Sequence, residues 1–176
     1  YWFELINWEK KLLEEAYESG VFSQDLDQLI EEETEVIEKL RNLAEYHILY
    51  SKINYIFRSG GFTRNEKERE VVADIADYHL IKGKNTALST RATTICYYIK
   101  GLCAASIRDY EDALINFKKA KSVMEAKPKI KSDLQTRYIY TLNFLLNCYI
   151  DSYRFDKANE VIAQLKDLEK DKAYTS

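Results

Sequence analysis

The chain has 176 residues, 46% of them hydrophobic and 31% charged, with a formal charge of −3; this excludes a disordered tract and leaves enough apolar mass for one ordinary domain core. Five glycines and one proline are too few punctuators for a turn-rich all-β fold. The charge is divided, with 18 acids and 9 bases in residues 1–80 and 11 acids and 17 bases in residues 81–176, which is not the strong basic excess of a nucleic-acid binder.

Helical periodicity runs through nearly the whole sequence. A first helix spans residues 2–18 and stops at Ser19-Gly20. Ser23 is placed to cap a second, acidic helix from Gln24, whose acids Asp25, Asp27, Glu31, Glu32 and Glu33 suit its N-terminal half. No glycine or proline interrupts Gln24 to Arg58. That is long for a globular helix, and a break is expected near Arg41-Asn42; the alternative is one helix of roughly 52 Å at about 1.5 Å per residue. Ser59-Gly60-Gly61 forms a loop. A helix over 64–81 ends at Gly83-Lys84-Asn85, and a long helix follows from Thr86 to Ile107. The Arg108-Asp109-Tyr110 turn opens a helix to Ala126, and Pro128 marks the next connection. Helices from Ser132 to Ser152 and from the Tyr153-Arg154 turn to Lys170 complete eight helices. Residues 171–176 read as a frayed tail. No strand is expected.

The chemistry available is sparse. Cys96, Cys103 and Cys148 are an odd set without close spacing, so they read as small buried hydrophobes rather than a disulfide framework. His47 and His79 sit among mixed helical residues, with no short-spaced cysteine pair to make a zinc site. Gly60-Gly61 is not a phosphate loop. Glu31 to Glu33 read as a solvated face. The lysines at 118, 119, 121, 127, 129 and 131 lie near a helix end that favours cations. No cofactor and no metal are expected. No apolar run approaches the roughly 18 residues of a membrane span. With no visible leader, a reducing, cytoplasmic location is the expectation, although a start at Tyr1 without Met reads as a piece cut from a longer chain, which would hide a signal peptide.

The helices come in pairs, and the pairs repeat. Residues 97–120, YYIKGLCAASIRDYEDALINFKKA, place Tyr97, Gly101, Ala113, Phe117 and Ala120 in order, with Tyr110 opening the second helix. This resembles the tetratricopeptide repeat. Residues 142–165, LNFLLNCYIDSYRFDKANEVIAQL, repeat it with Leu142, Leu145, Leu146, Tyr149, Phe155, Ala158, Ile162 and Leu165, but without the helix-A glycine. YSKINYIFRSGG (Tyr50, Ile53, Phe57, Gly61) and WEKKLLEEAYESG (Trp8, Gly20) match more faintly. The first-helix anchors Trp8, Tyr50, Tyr97 and Leu142 are spaced 42, 47 and 45, longer than the family's period of about 34. The resemblance implies an all-α, right-handed α-α superhelix: a solenoid of four antiparallel helix pairs, with units over 2–40, 44–81, 86–126 and 132–170 of a single domain.

In the family it resembles, first helices line a concave groove. By position, that face offers Ser51, Tyr55 and Arg58, then Tyr98 and Leu102, then Tyr140, Asn143 and Asn147. Asn143 and Asn147, four apart, share a helix face and could pair with a peptide backbone. Some members grip a C-terminal carboxylate with Lys and Arg on first helices. Tyr98, Leu102, Asn143 and Asn147 stand at those positions here, so the chaperone-tail clamp is not expected. The resemblance therefore implies a scaffold that binds a protein or peptide and is not an enzyme, with nucleic acid disfavoured. The alternatives are a peptide-sensing domain of a larger bacterial-type regulator, an enzyme with an unrecognised site, and a spacer or homo-oligomerisation arm.

Overall fold

The computed structural model describes residues 2–15, 22–58 and 62–173, with side chains over 3–12, 27–58 and 62–168. The predicted stops at Ser19-Gly20 and Ser59-Gly60-Gly61 lie outside these residues. The described chain is all-helical, with no strand: α1 (Trp2–Glu15), α2 (Phe22–Arg58), α3 (Glu66–Asp77), α4 (Thr90–Ser106), α5 (Tyr110–Glu125), α6 (Pro128–Asp133), α7 (Gln135–Asp151) and α8 (Phe155–Ala173).

Two of the expected elements change. The break near Arg41-Asn42 does not exist: α2 is one helix of 37 residues, and it begins ahead of the expected cap Ser23. Nothing in 22–58 can break it, and i,i+4 pairs support it, among them Lys39–Glu35 at 2.5 Å and Arg41–Glu45 at 3.3 Å. Asn42, read as a breaker, is an anchor. Its side chain accepts from the Leu88 N–H (3.0 Å) and donates to the Thr86 carbonyl (3.4 Å). The second change is α6, a single extra turn opened by Pro128 at its start, where the missing proline N–H costs nothing.

The remaining ends follow local chemistry. Asn65, Ser89 and Asp109 cap α3, α4 and α5, each accepting from a backbone N–H three residues on. Helix α3 stops at Asp77, four residues before its expected end, because the Tyr78 backbone turns extended (ψ 138°). Leu80 and Ile81 are then tucked into the core as a turn rather than as helix.

Helix α1 packs on α2, α2 on α3 and α4, α4 on α5, α5 on α7, and α7 on α8. The core is continuous from the C-terminal half of α2, through Tyr46, Leu49, Ile53 and Ile56, across α4 and α5 to Ala158 and Val161 of α8. Tyr46 is fully enclosed, and its hydroxyl donates to the Leu80 carbonyl at 3.0 Å. Burial pushes its pKa up to about 12.

The α4–α5 and α7–α8 connections are the same turn, 45 residues apart. Arg108 (φ 64°) and Tyr153 (φ 59°) both adopt the left-handed conformation. The Asp109 N–H bonds to the Ala104 carbonyl and the Arg154 N–H to the Tyr149 carbonyl, at 3.0 and 2.8 Å; the Ala113 and Ala158 N–H groups reach back to residues 109 and 154, both at 3.0 Å. The small residues expected at the helix crossing, Ala113 and Ala120, are both fully buried. At Gly101 an added Cβ would lie 2.7 Å from the Phe117 ring, so only glycine permits this approach.

Candidate functional site

Three helices from different parts of the chain share one aromatic surface. Tyr50 and Phe57 come from α2, Tyr98 from α4 and Phe144 from α7. Tyr98 touches Tyr50, Phe117 and Phe144 at ring-centroid distances of 5.8, 5.7 and 5.8 Å. Phe57 meets Phe144 edge-on at 5.3 Å, and Phe117 stacks flat on Phe144, also at 5.3 Å. These are favoured aromatic geometries. They fix the floor.

The contacts also set the direction of the walls. Arg137 of α7 lies over Tyr50 of α2 (4.3 Å), and seven residues later on each helix Phe144 meets Phe57. Helices α2 and α7 therefore run parallel and in step, with α4 between and below them. The cavity they enclose is about 550 Å³, the size of a site for a side chain or a small ligand. Asn54 and Arg58 stand on the α2 wall, and Tyr140, Asn147 and Asp151 on the α7 wall; Phe62 and Tyr110 close one end.

Four of the eight predicted groove residues meet here: Arg58, Tyr98, Tyr140 and Asn147. Tyr98 contributes from beneath, being only 2% exposed. The other four do not join them. Leu102 is fully buried in the core. Tyr55 lines a separate cavity of about 580 Å³ between α2 and α3. Ser51 is exposed and donates its hydroxyl to the His47 carbonyl at 2.9 Å. Asn143 is exposed, one turn from Asn147, but is not part of the lining. Sequence reasoning missed Tyr50, Asn54, Phe57, Tyr110 and Phe144 of the lining, and Arg137, which lies over Tyr50 and Tyr98. On α2, the spacing of Tyr50, Asn54, Phe57 and Arg58 along one helical stripe was the available signal.

The electrostatics are uneven along the groove. Arg137 is half-buried over the faces of Tyr50 and Tyr98, at 4.3 and 5.1 Å. Burial, and then the Arg137 charge, hold the His47 pKa below its ordinary value. Burial raises the Tyr98 pKa far above that of a free phenol. At the opposite end burial, and then the Asp151 carboxylate, raise the pKa of Tyr110.

Elsewhere the tyrosines and lysines are spent on each other. Lys118 lies over Tyr149, Lys119 over Tyr97 and Lys131 over Tyr138, at 5.5, 5.6 and 4.6 Å. All three cysteines are free and buried, as the sequence led one to expect. Burial pushes the Cys103 and Cys148 thiols up to about 12, which suppresses the reactive thiolate. Among the described residues no group of His, Cys, Asp and Glu is arranged to hold a metal ion, and no helix is long and apolar enough to cross a membrane. The chain matches no family model, no curated protein and no solved structure.

Proposed function

We propose that the α2–α4–α7 groove holds an extended segment of a partner protein, on a helical-repeat scaffold of the tetratricopeptide type, and that the chain is a binding module rather than an enzyme. The observation that carries this reading is the convergence of three helices on one open aromatic floor with polar walls. Apolar floors with a few placed polar groups are what ligand sites are built from. Asn54 and Asn147 offer both a donor and an acceptor to a passing backbone. Exposed Tyr140 supplies flat amphipathic area of the kind enriched at interfaces. The scaffold reading is supported by the repeated turn and by the Gly101–Phe117 approach. The binding-module reading is supported by the direction of the large shifts: burial holds Tyr46, Tyr98, Cys103 and Cys148 in their neutral forms.

The test uses Tyr140→Ala together with Asn147→Ala, both on exposed positions. A partner captured by the parent protein from an extract of its source cells is titrated against parent and double variant. Binding should weaken at least about tenfold, because each unpaired buried polar group costs about 1–3 kcal/mol. The thermal midpoint should stay within a degree or two. Equal affinity for parent and variant would remove the groove as the binding surface.

A further inference from the structure

Among the described residues, neither Arg58, on the groove lining, nor Arg137, over its Tyr50 and Tyr98 rings, has an anionic partner. Every ion pair among the described residues involves other cations, and neither Arg58 nor Arg137 has an interaction left unstated. The carboxylate one turn before Arg137, that of Asp133, is taken by Arg91 at 2.9 Å. His47, the titratable neighbour of Arg137 on α2, can only add positive charge. Arg137 is thus held in place by two tyrosine faces with its charge unneutralised, at one end of an aromatic floor. Arg58 stands further along the opposite wall, exposed.

Their separation follows from the parallel, in-step walls. Arg137 is level with Tyr50, and Tyr50 to Arg58 is eight residues, about 12 Å at 1.5 Å per residue. An extended chain covers that distance in three to four residues at about 3.3 Å each. Between the two cations lie the Phe57 and Phe144 rings.

Taking the groove as a peptide site, we infer that its occupant is an extended, acidic peptide segment. One carboxylate pairs with Arg137, an aromatic or aliphatic side chain rests on Phe57 and Phe144, and a second carboxylate three or four residues away pairs with Arg58. Planar guanidinium groups suit this task because they bind carboxylates in two-point geometry. Asp151 marks the far limit: it is 14 residues beyond Arg137 on α7, about 21 Å away, and repels a third acid there. A single-stranded nucleic acid would also stack on aromatic rings and contact arginine, but it needs a continuous cationic track. Two cations about 12 Å apart, followed by Asp151, do not provide one.

The experiment is selection from a phage library of twelve-residue random peptides embedded within the coat protein, so that no terminal carboxylate is present. The targets are the parent protein, Arg137→Gln, Arg58→Gln and Arg58→Glu. The parent should enrich sequences with two Asp or Glu three or four apart around an apolar residue. An end-blocked synthetic peptide of that motif should bind each Gln variant at least about tenfold more weakly, the scale of a hydrogen bond to a charged group. Arg58→Glu should enrich Lys or Arg at the second acidic position. This variant changes an exposed residue and gains a preference, so a folding defect cannot imitate it. Enrichment of apolar motifs with no acidic positions would overturn this inference and leave the peptide groove standing. No enriched motif, or a motif that binds the Tyr140→Ala, Asn147→Ala variant as well as the parent, would overturn both. So would tighter binding of oligothymidylate than of any selected peptide.

Discussion

The α4–α5 and α7–α8 pairs share a turn, with the same left-handed residue and the same two closing main-chain bonds, yet their interiors differ. In α4–α5, Gly101 lets Phe117 come against the α4 backbone, and the ring then reaches on to stack with Phe144 of α7. In α7–α8 the corresponding positions are Leu146 and Ile162, both partly buried. The α4 helix is buried on nearly every side, whereas among the described side chains of α8 only Ala158 and Val161 are fully inside. One turn geometry therefore serves two kinds of contact. A glycine is needed where a ring must pass through to the groove floor, and a leucine suffices where the helix pair closes on itself.

Putting the second arrangement into the first pair gives the largest effect. Gly101→Leu collides with a Phe117 ring that has no free space, so urea unfolding should show a loss of about 3 kcal/mol or more. Leu146→Met, at the matching position, should cost less than about 1.5 kcal/mol. Equal losses would mean that the glycine is incidental. The next effect is at the shared small residue. Ala113→Leu should cost about 1–3 kcal/mol by overpacking, and Ala158→Leu less, because Ala158 lies in the outermost pair and is 4% exposed against 0% for Ala113. A thermal midpoint unmoved by Ala113→Leu would remove the helix crossing placed there. The smallest effect separates the two turns themselves. A left-handed non-glycine residue costs about 1–2 kcal/mol, and glycine returns about 0.5–1 kcal/mol of that as lost chain entropy. Tyr153→Gly, at an 82% exposed position where the ring meets only the edge of exposed Phe155 at 6.3 Å, should therefore stabilise slightly or be neutral. Arg108→Gly should not, since it also removes the guanidinium from the Phe62 ring 4.8 Å away. Stabilisation of both by the same amount would show that the Phe62 contact contributes nothing.

Much of this was legible from residues alone, where the signal was local. Gly101, Ala113, Phe117 and Ala120 announce a close helix crossing, and the Arg108-Asp109-Tyr110 turn opens α5 where expected; α4 was begun at Thr86, four residues early, because its cap Ser89 was read as helix interior. Asn42 misled because what it bonds lies 44 and 46 residues away; a residue with low helix preference reads as a break when its distant partner is invisible. The groove was half legible for a rotational reason. On α2 Arg58 was placed on the lining, but the expected Ser51 and Tyr55 are each one residue off the observed Tyr50 and Asn54, and one residue is about 100° of helix. On α4 burial is so complete that apolar spacing cannot say which side faces the floor, and Leu102 was placed on the wrong one. Arg137 lies outside the repeat pattern altogether, and only the packing of α7 beside α2 brings it to Tyr50.

The uninterrupted α2 also gives the molecule a mechanical property. The helix is gripped near its middle, where Asn42 holds the 86–88 segment and Tyr46 holds Leu80. Its C-terminal arm, from Asn42 to Arg58, is one wall of the groove, and its N-terminal arm carries α1. With no joint between them, and with Leu49, Ile53 and Ile56 of the C-terminal arm set in the core, the helix works as a single rod clamped over its C-terminal half. The groove wall therefore shares the rigidity of the core, and α1 rides on the unclamped extension of the same rod.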